Sequence, residues 1–170
     1  MSYATAVRFL LTLFAVITVS ITVTGCSVSK MSVPSMIGGD TDVTITINVD
    51  SDINPDENNK PSPLFVRMYE LKSEKLFNRA NFIDLYEKDE EVLGADLVRK
   101  EVLKTMVPGE NHVKKFVADK DTRYIALYAE FFRYKHSNYK IIFPVTANNV
   151  FRDKVEIRIS GNSITVSKQP

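Results

Sequence analysis

The stretch VTITINV, Val43–Val49, decides the fold because it alternates apolar and polar residues without interruption. Successive side chains of a β-strand point to opposite faces of a sheet, so this period of two predicts a strand with one buried face and one solvated face. A half-buried strand of this kind belongs to a sheet that packs against a second layer.

Downstream of this stretch, seven further segments have strand character. Turn residues separate them, including Pro108-Gly109, His136-Ser137-Asn138 and Gly161-Asn162. Many short strands with such separators predict a mainly β fold, an antiparallel two-sheet sandwich within residues 43–170. The predicted strands after the first are residues 64–72, 98–106, 113–117, 123–132, 139–145, 154–159 and 163–167.

One helical element interrupts the strands. Apolar residues recur at helical spacing between Ser73 and Lys88, and neither proline nor glycine breaks the segment. We expect a single helix there, with Ser73 as its N-cap. An acidic cluster at Asp84–Glu91 surrounds its end, and we expect a solvated face, because calcium loops need a glycine turn that is missing here.

The first 25 residues have the layout of a secretory signal. Arg8 precedes an apolar run, Phe9–Thr24, which ends in small residues. The alternative is a retained membrane span, but about 20 predominantly apolar residues are needed for one, and threonines and a serine dilute this run. We therefore predict that residues 1–25 form a cleaved signal peptide.

Val23-Thr24-Gly25-Cys26 resembles the lipobox of bacterial lipoproteins, and Cys26 is the only cysteine in the chain. The resemblance implies cleavage before Cys26, a diacylglycerol on its sulfur and an N-acyl chain on its amino group. More than one acyl chain makes a lasting anchor. Ser27 at the next position implies the periplasmic face of the outer membrane. Residues 26–42, rich in serine with Pro34 and Gly38-Gly39, are expected to be a lipidated flexible tether.

The sequence offers little chemistry for catalysis. His112 and His136 are the only histidines, and neither has a partner at metal-ligand spacing. Nucleotide-binding glycine motifs are missing from the sequence, and the formal charge of +1 is unlike the strongly basic balance of most duplex nucleic-acid binders. We expect no enzyme, no cofactor beyond the lipid on Cys26, no metal site, no nucleic acid and no small-molecule substrate.

The connection between the first two predicted strands, Asp50–Pro63, is unusually long. Hairpin loops usually have two to five residues, and loops beyond about 12 tend to be functional or disordered. Pro55, Pro61 and Pro63 stiffen this one, which lowers the entropy lost on binding. A protein-recognition loop and a tolerated insertion both remain open. As a protrusion, its segment Ile53–Lys60 is expected to be removable with almost no loss of stability.

Motifs along most of the chain resemble the outer-membrane lipoprotein family of the bacterial type VI secretion system, TssJ. They are Asn54-Pro55-Asp56, Pro61–Lys72 (PSPLFVRMYELK), Phe77-x-x-Ala80-x-Phe82-x-x-Leu85, Leu93–Asp96, Val107–Gly109, Ala129–Arg133 and Gly161-Asn162. The family often carries a tryptophan after its A-x-F-R strand, where this chain has none and Tyr139 takes that place.

The resemblance implies a transthyretin-like sandwich with an added helical element. It also implies a scaffolding role, in which the lipoprotein holds the trans-envelope complex to the outer membrane by binding the periplasmic domain of the inner-membrane subunit TssM. The loop between the first two strands makes that contact in the family. Carried over here, the partner-binding residues are Asp52, Ile53, Asn54, Pro55, Asp56, Glu57, Asn58, Asn59, Lys60 and Pro61.

Two other classes of function stay open at this point. A periplasmic ligand-carrier lipoprotein would need an apolar cavity of roughly 300 Å³ or more. An envelope hydrolase would depend on Ser27 or on a pair of carboxylates.

Overall fold

The structure, a computed structural model, describes residues 41–145 and 153–168. The predicted signal peptide, Cys26 and almost all of the predicted tether lie outside these residues. The described strands are β1 Thr41–Val49, β2 Val66–Leu71, β3 Leu97–Val102, β4 His112–Ala118, β5 Tyr124–Ala129, β6 Lys140–Pro144, β7 Asp153–Ser160 and β8 Ser163–Lys168. The helices are α1 Lys75–Arg79 and α2 Phe82–Leu93, with 3-10 turns at Gly94–Asp96 and Tyr134–His136.

The strands form two sheets, in the orders β4-β1-β7-β8 and β3-β2-β5-β6. Each of the eight predicted strands is present with shifted ends, and the fold is mainly β with antiparallel pairing dominant. One pair differs from the prediction, because β1 and β7 run parallel, from Val43 opposite Asp153 to Val49 opposite Ile159. The chain enters β7 directly from β6 of the other sheet, so no hairpin sets the direction of β7 relative to β1.

The main core lies between the two sheets. Val43, Ile45, Ile47 and Val49 of β1 are all buried, as the alternation predicts. They pack in one cluster with apolar side chains of both sheets, including Val66, Met68, Ile125, Leu127, Phe143, Ile157 and Ile164. Burying one such side chain contributes roughly 1.5–3 kcal/mol, so this layer is the main source of stability.

A second core covers the outer face of the sheet that contains β2. Tyr69 and Leu71 point away from the sandwich interior and pack against Phe77 of α1 and Leu85 of α2. Strand β2 is therefore buried on both faces, and its two charged residues, Arg67 and Glu70, are paired with Asp89 and Arg99.

The prediction of one helix over Ser73–Lys88 is wrong, because the segment forms two helices. Ala80 is extended (φ −63°, ψ 135°) and ends α1. Asn81 then caps α2: its Oδ1 accepts from the Asp84 backbone N–H at 3.0 Å, and the Asp84 carboxylate accepts from the Asn81 N–H at 3.3 Å. This capping box satisfies backbone donors that a continuous helix would bond to carbonyls.

The predicted N-cap is also displaced by one residue. The Ser73 hydroxyl accepts a hydrogen bond from the Lys75 N–H at 3.2 Å, but Glu74 occupies the cap position of α1. Within the described ranges, neither helix has the length and apolar character that crossing a bilayer requires.

Candidate functional site

The connection from β1 to β2 begins at Asp50, and this residue, the base of the loop, is fixed by several hydrogen bonds. The Asp50 N–H donates to Ile159 O at 2.9 Å, and the Gly109 N–H donates to Asp50 O at 3.1 Å. The Asp50 carboxylate pairs with Arg158 at 2.8 Å, and this hydrogen-bonded guanidinium lowers the pKa of Asp50 below its usual value. The base is thus joined to β7 and to the β3–β4 connection.

Asn54 organises the middle of the loop. Its φ of 48° lies in the left-handed region, which asparagine tolerates better than most residues. Its N–H donates to Gly161 O and its Nδ2 to Pro63 O, while its Oδ1 accepts from the Phe132 N–H, each at 2.8 Å. The Asn54 side chain therefore joins the C-terminal end of the loop to the residues after β5, and its backbone N–H joins the loop to Gly161.

The tip, Asp56–Lys60, forms a small turn of its own. Asp56 Oδ1 accepts from the backbone N–H groups of Asn58 at 2.8 Å and Lys60 at 2.9 Å. Asn59 has a φ of 61°, and its N–H donates to Asp56 O at 3.0 Å. Arg133, which is not part of the loop, stabilises the turn by donating hydrogen bonds to Asn59 Oδ1 and to Asp56 O. The tip is therefore an ordered protrusion.

The structure separates the ten predicted partner-binding residues into three groups. Ile53 (0% exposed) and Asn54 (6% exposed) are buried, and Ile53 is part of the sandwich core. Pro55 and Asp56 are partly buried. The residues with exposed side chains are Asp52, Glu57, Asn58, Asn59, Lys60 and Pro61.

The burial of Ile53 and Asn54 also corrects the expectation that Ile53–Lys60 is dispensable for stability. Removing this segment would take a fully buried isoleucine out of the core and break the hydrogen bonds of Asn54. The loop is an integral part of the fold, and its tip alone can be altered without disturbing the core.

Two exposed phenylalanines beside the loop were missed by sequence reasoning. Phe65 is 53% exposed at the end of the loop, and Phe132 is 58% exposed next to its contact with Asn54. Both phenylalanines lie in apolar segments whose pattern predicts the interior of a strand. The pair Phe131-Phe132 could have predicted one exposed ring, because side chains on a half-buried strand alternate and only one of two neighbours lies inside.

The acidic cluster is not uniformly a solvated face, and the prediction is wrong for Asp89. Asp89 of α2 is buried, and its Oδ2 accepts from Tyr69 Oη at 2.8 Å and from Arg67 Nη1 at 2.9 Å. Lys100 Nζ lies 2.8 Å from its Oδ1. Burial alone would raise the pKa of Asp89, but hydrogen bonds from these three side chains outweigh it and keep the pKa low. Asp89 and its three partners therefore fix α2 to the sheet.

The two histidines lie on different elements, His112 on β4 and His136 in the 3-10 turn after β5. Across residues 41–145 and 153–168, no three His, Cys, Asp or Glu side chains are grouped in a way that would hold a metal ion. The β1–β2 loop combines an exposed polar tip with the exposed aromatic side chains of Phe65 and Phe132 nearby.

Comparison with known families and structures adds an independent finding. A profile of the family described as type VI secretion lipoprotein (VasD, EvfM, TssJ) matches residues 41–162. No curated protein matches the chain.

Solved structures similar to this chain share its fold. The T6SS lipoprotein TssJ1 from Pseudomonas aeruginosa is 24% identical, with a TM-score of 0.72 over 77% of this chain and 98% of that one. Serratia marcescens Lip, a membrane-bound component of the type VI secretion system, is 20% identical, with a TM-score of 0.67 over 75% and 97%. A chain of the structure described as the T6SS protein TssM C-terminal domain from EAEC is 18% identical, with a TM-score of 0.61 over 75% and 98%.

Proposed function

The chain belongs to the type VI secretion lipoprotein family, and from that premise we propose that it anchors the trans-envelope complex of the secretion system. In this role it is held in the outer membrane by lipid on Cys26, and it binds the periplasmic domain of a TssM-like inner-membrane subunit through the exposed tip of the β1–β2 loop.

The observation that carries the proposal is the ordered, outward-facing tip. Arg133 and the carboxylate of Asp56 already fix its conformation, while Glu57, Asn58 and Lys60 expose their side chains. A preorganised loop loses little conformational entropy when it binds, so the gain from its contacts is retained as affinity. This property suits an adaptor that has to hold a partner.

The comparisons support this partner without identifying it for this chain. A chain with the same fold occurs in the structure described as the TssM C-terminal domain. The matched family is one of secretion-system lipoproteins, which agrees with the lipobox-like Val23–Cys26.

Binding to the TssM-like periplasmic domain tests the proposal. The lipidated full chain in detergent is compared with the variant E57A/K60A, in which two exposed tip residues are changed and the Asp56 turn is retained. We expect the variant to bind at least ~10-fold more weakly, because the contacts of its tip side chains are lost.

The matched control is K154A/E156A. It also removes one acidic and one basic exposed residue, on β7, roughly 10–17 Å along the strand from Ile159, where β7 meets the loop. We expect unchanged affinity. If the unaltered chain did not bind, the proposed partner would be wrong, and equal affinity of both variants would exclude the tip as the site.

The ligand-carrier alternative gains no support from the core. The space between the sheets is filled by buried side chains such as Ile45, Met68, Leu127 and Phe143. A cleft of about 450 Å³ does exist, lined by Phe82, Tyr134 and Tyr139, but it lies outside the sandwich, at the start of α2.

A further inference from the structure

Phe65 follows the loop in sequence, and Phe132 is joined to the loop by a hydrogen bond. The Phe132 N–H donates to Asn54 Oδ1 at 2.8 Å. Asn54 Nδ2 donates to Pro63 O at 2.8 Å, two residues before Phe65. Phe65 O accepts from the N–H of Glu130 at 2.9 Å, two residues before Phe132. These bonds fix the backbones of both phenylalanines relative to Asn54, in the middle of the loop.

The exposure of these two side chains is notable in a protein whose other aromatic side chains mostly pack. Phe77, Phe131 and Phe143 are each about 1% exposed, against 53% for Phe65 and 58% for Phe132. Exposed aromatic surface next to a polar protrusion is typical of the core of a protein–protein interface, where aromatic residues are enriched.

The tip alone is too small and too polar for a durable complex. Stable interfaces bury about 800 Å² on each partner, from roughly 20–30 residues, whereas the tip has five residues. Binding energy concentrates in a few aromatic or arginine side chains, and Asp56–Lys60 contains neither type. The interface therefore has to extend beyond the tip.

The charges around the loop indicate on which side of the tip the interface extends. On the β7 side, Asp50 is already paired with Arg158, and Asp52 accepts from the Gly161 N–H at 3.1 Å. On the side of the residues after β5, the Phe132 N–H donates to Asn54, and the adjacent Arg133 donates to Asn59 and Asp56 of the tip. The exposed aromatic side chain of Phe132 is therefore on this second side, next to Arg133, which donates to the tip.

We propose that Phe65 and Phe132 are the apolar anchors of the docking surface, and that the TssM-like periplasmic domain covers them with an apolar patch beside the polar groups that meet the tip. This inference rests on the proposed function and names residues that determine the affinity of the same site.

The test compares the lipidated full chain with the variant F65S/F132S in binding to the TssM-like periplasmic domain. We expect affinity to fall by at least ~30-fold, as for two hot-spot residues, while the melting temperature changes little because both side chains are largely exposed. The conservative variant F65Y/F132Y retains the rings and is expected to bind within about threefold of the unaltered chain.

The matched control is V113S/V117S, which removes two exposed apolar side chains (61% and 47%) from β4, away from the phenylalanines. We expect its affinity to be unchanged. Equal weakening of the control and F65S/F132S would overturn the proposal, because it would show a general effect of surface polarity.

The two inferences fail in different ways. If E57A/K60A weakens binding and F65S/F132S does not, the tip site stands and the anchors are wrong. If F65S/F132S instead abolishes self-association or vesicle binding of the chain and leaves partner affinity intact, the phenylalanines serve a second copy or the lipid surface, and the proposal is overturned.

Discussion

At the scale of single residues, Asp89 joins a helix to a sheet. Its carboxylate accepts hydrogen bonds from Arg67 and Tyr69 of β2 and from Lys100 of β3. Arg67 also pairs with Glu130 at 2.7 Å and donates to Leu85 O of α2 at 2.9 Å. The orientation of α2 thus depends on one buried, multiply bonded carboxylate.

Asp89→Asn should destabilise the protein by about 3 kcal/mol at pH 7, because it leaves the partly buried cations Arg67 and Lys100 with one fewer counter-charge. Urea unfolding followed by circular dichroism measures the change. The exposed Glu91→Gln on the same helix is the control and should have an effect within about 0.5 kcal/mol. Equal effects of the two substitutions would show that the network contributes nothing specific.

The same residue predicts an acid sensitivity. The folded-state pKa of Asp89 is lowered, so the stability it contributes is complete above its unfolded pKa of about 3.9 and is lost as pH falls through the lower folded value. Unfolding free energy measured from pH 6 to pH 2 should fall less steeply for Asp89→Asn than for the unaltered chain. Parallel curves would contradict the assignment.

Lys140 makes a different kind of buried contact. Its Nζ donates to the carbonyl oxygens of Phe77 (2.9 Å), Asn78 (3.0 Å) and Ala80 (2.7 Å) at the end of α1, and burial lowers its pKa. Lys140→Met should cost about 1–3 kcal/mol, because these carbonyls lose a donor. Thermal unfolding would show this, with the exposed Lys135→Met as the control expected to melt like the unaltered chain.

At the scale of elements, the β1–β2 loop combines a structural base with an exposed tip. Ile53→Ala should cost about 2–4 kcal/mol, because it opens a cavity in the sandwich core. E57A/K60A in the same loop should change stability by less than about 0.5 kcal/mol. Chemical unfolding of both variants tests this division, and a small effect of Ile53→Ala would contradict it.

The strands were predictable from sequence, whereas the details of the loop and the helical segment were not. Alternation in Val43–Val49 corresponds directly to the buried face of β1. The break at Ala80 depends on a capping box between Asn81 and Asp84 that competes with helix continuation, and helical spacing alone does not show it. The inward direction of Ile53 depends on the left-handed Asn54, whose partners are distant in sequence.

At the scale of the whole molecule, pairing between distant strands limits what sequence patterns reveal. The parallel register of β1 and β7 joins residues more than 100 positions apart, and local periodicity does not encode strand direction. For the same reason Phe132 meets the loop only in the folded chain. The family resemblance predicts the loop as the partner-binding site, and our proposal adds the two phenylalanines to it.

The proposed lipid on Cys26 would anchor the whole molecule to the membrane. Cys26→Ser should release the chain from membranes after an alkaline wash, because the proposed acyl chains have no other attachment site. Fractionation followed by mass spectrometry of the mature amino terminus measures this. An unmodified Cys26 thiol, or a Cys26→Ser chain that still sediments with membranes, would show that the anchor is something other than lipid.

The central claim is that the loop tip contacts a TssM-like periplasmic domain. Site-specific photo-crosslinking in cells tests it most directly, with a photoreactive amino acid at position 60 in the full chain and the same residue at position 154 as the control. We expect the photoreactive residue at position 60 to give a crosslinked product that contains the TssM-like periplasmic domain, and the residue at position 154 to give none. A product from position 154 alone, or none from position 60 while the two proteins still co-purify, would contradict it.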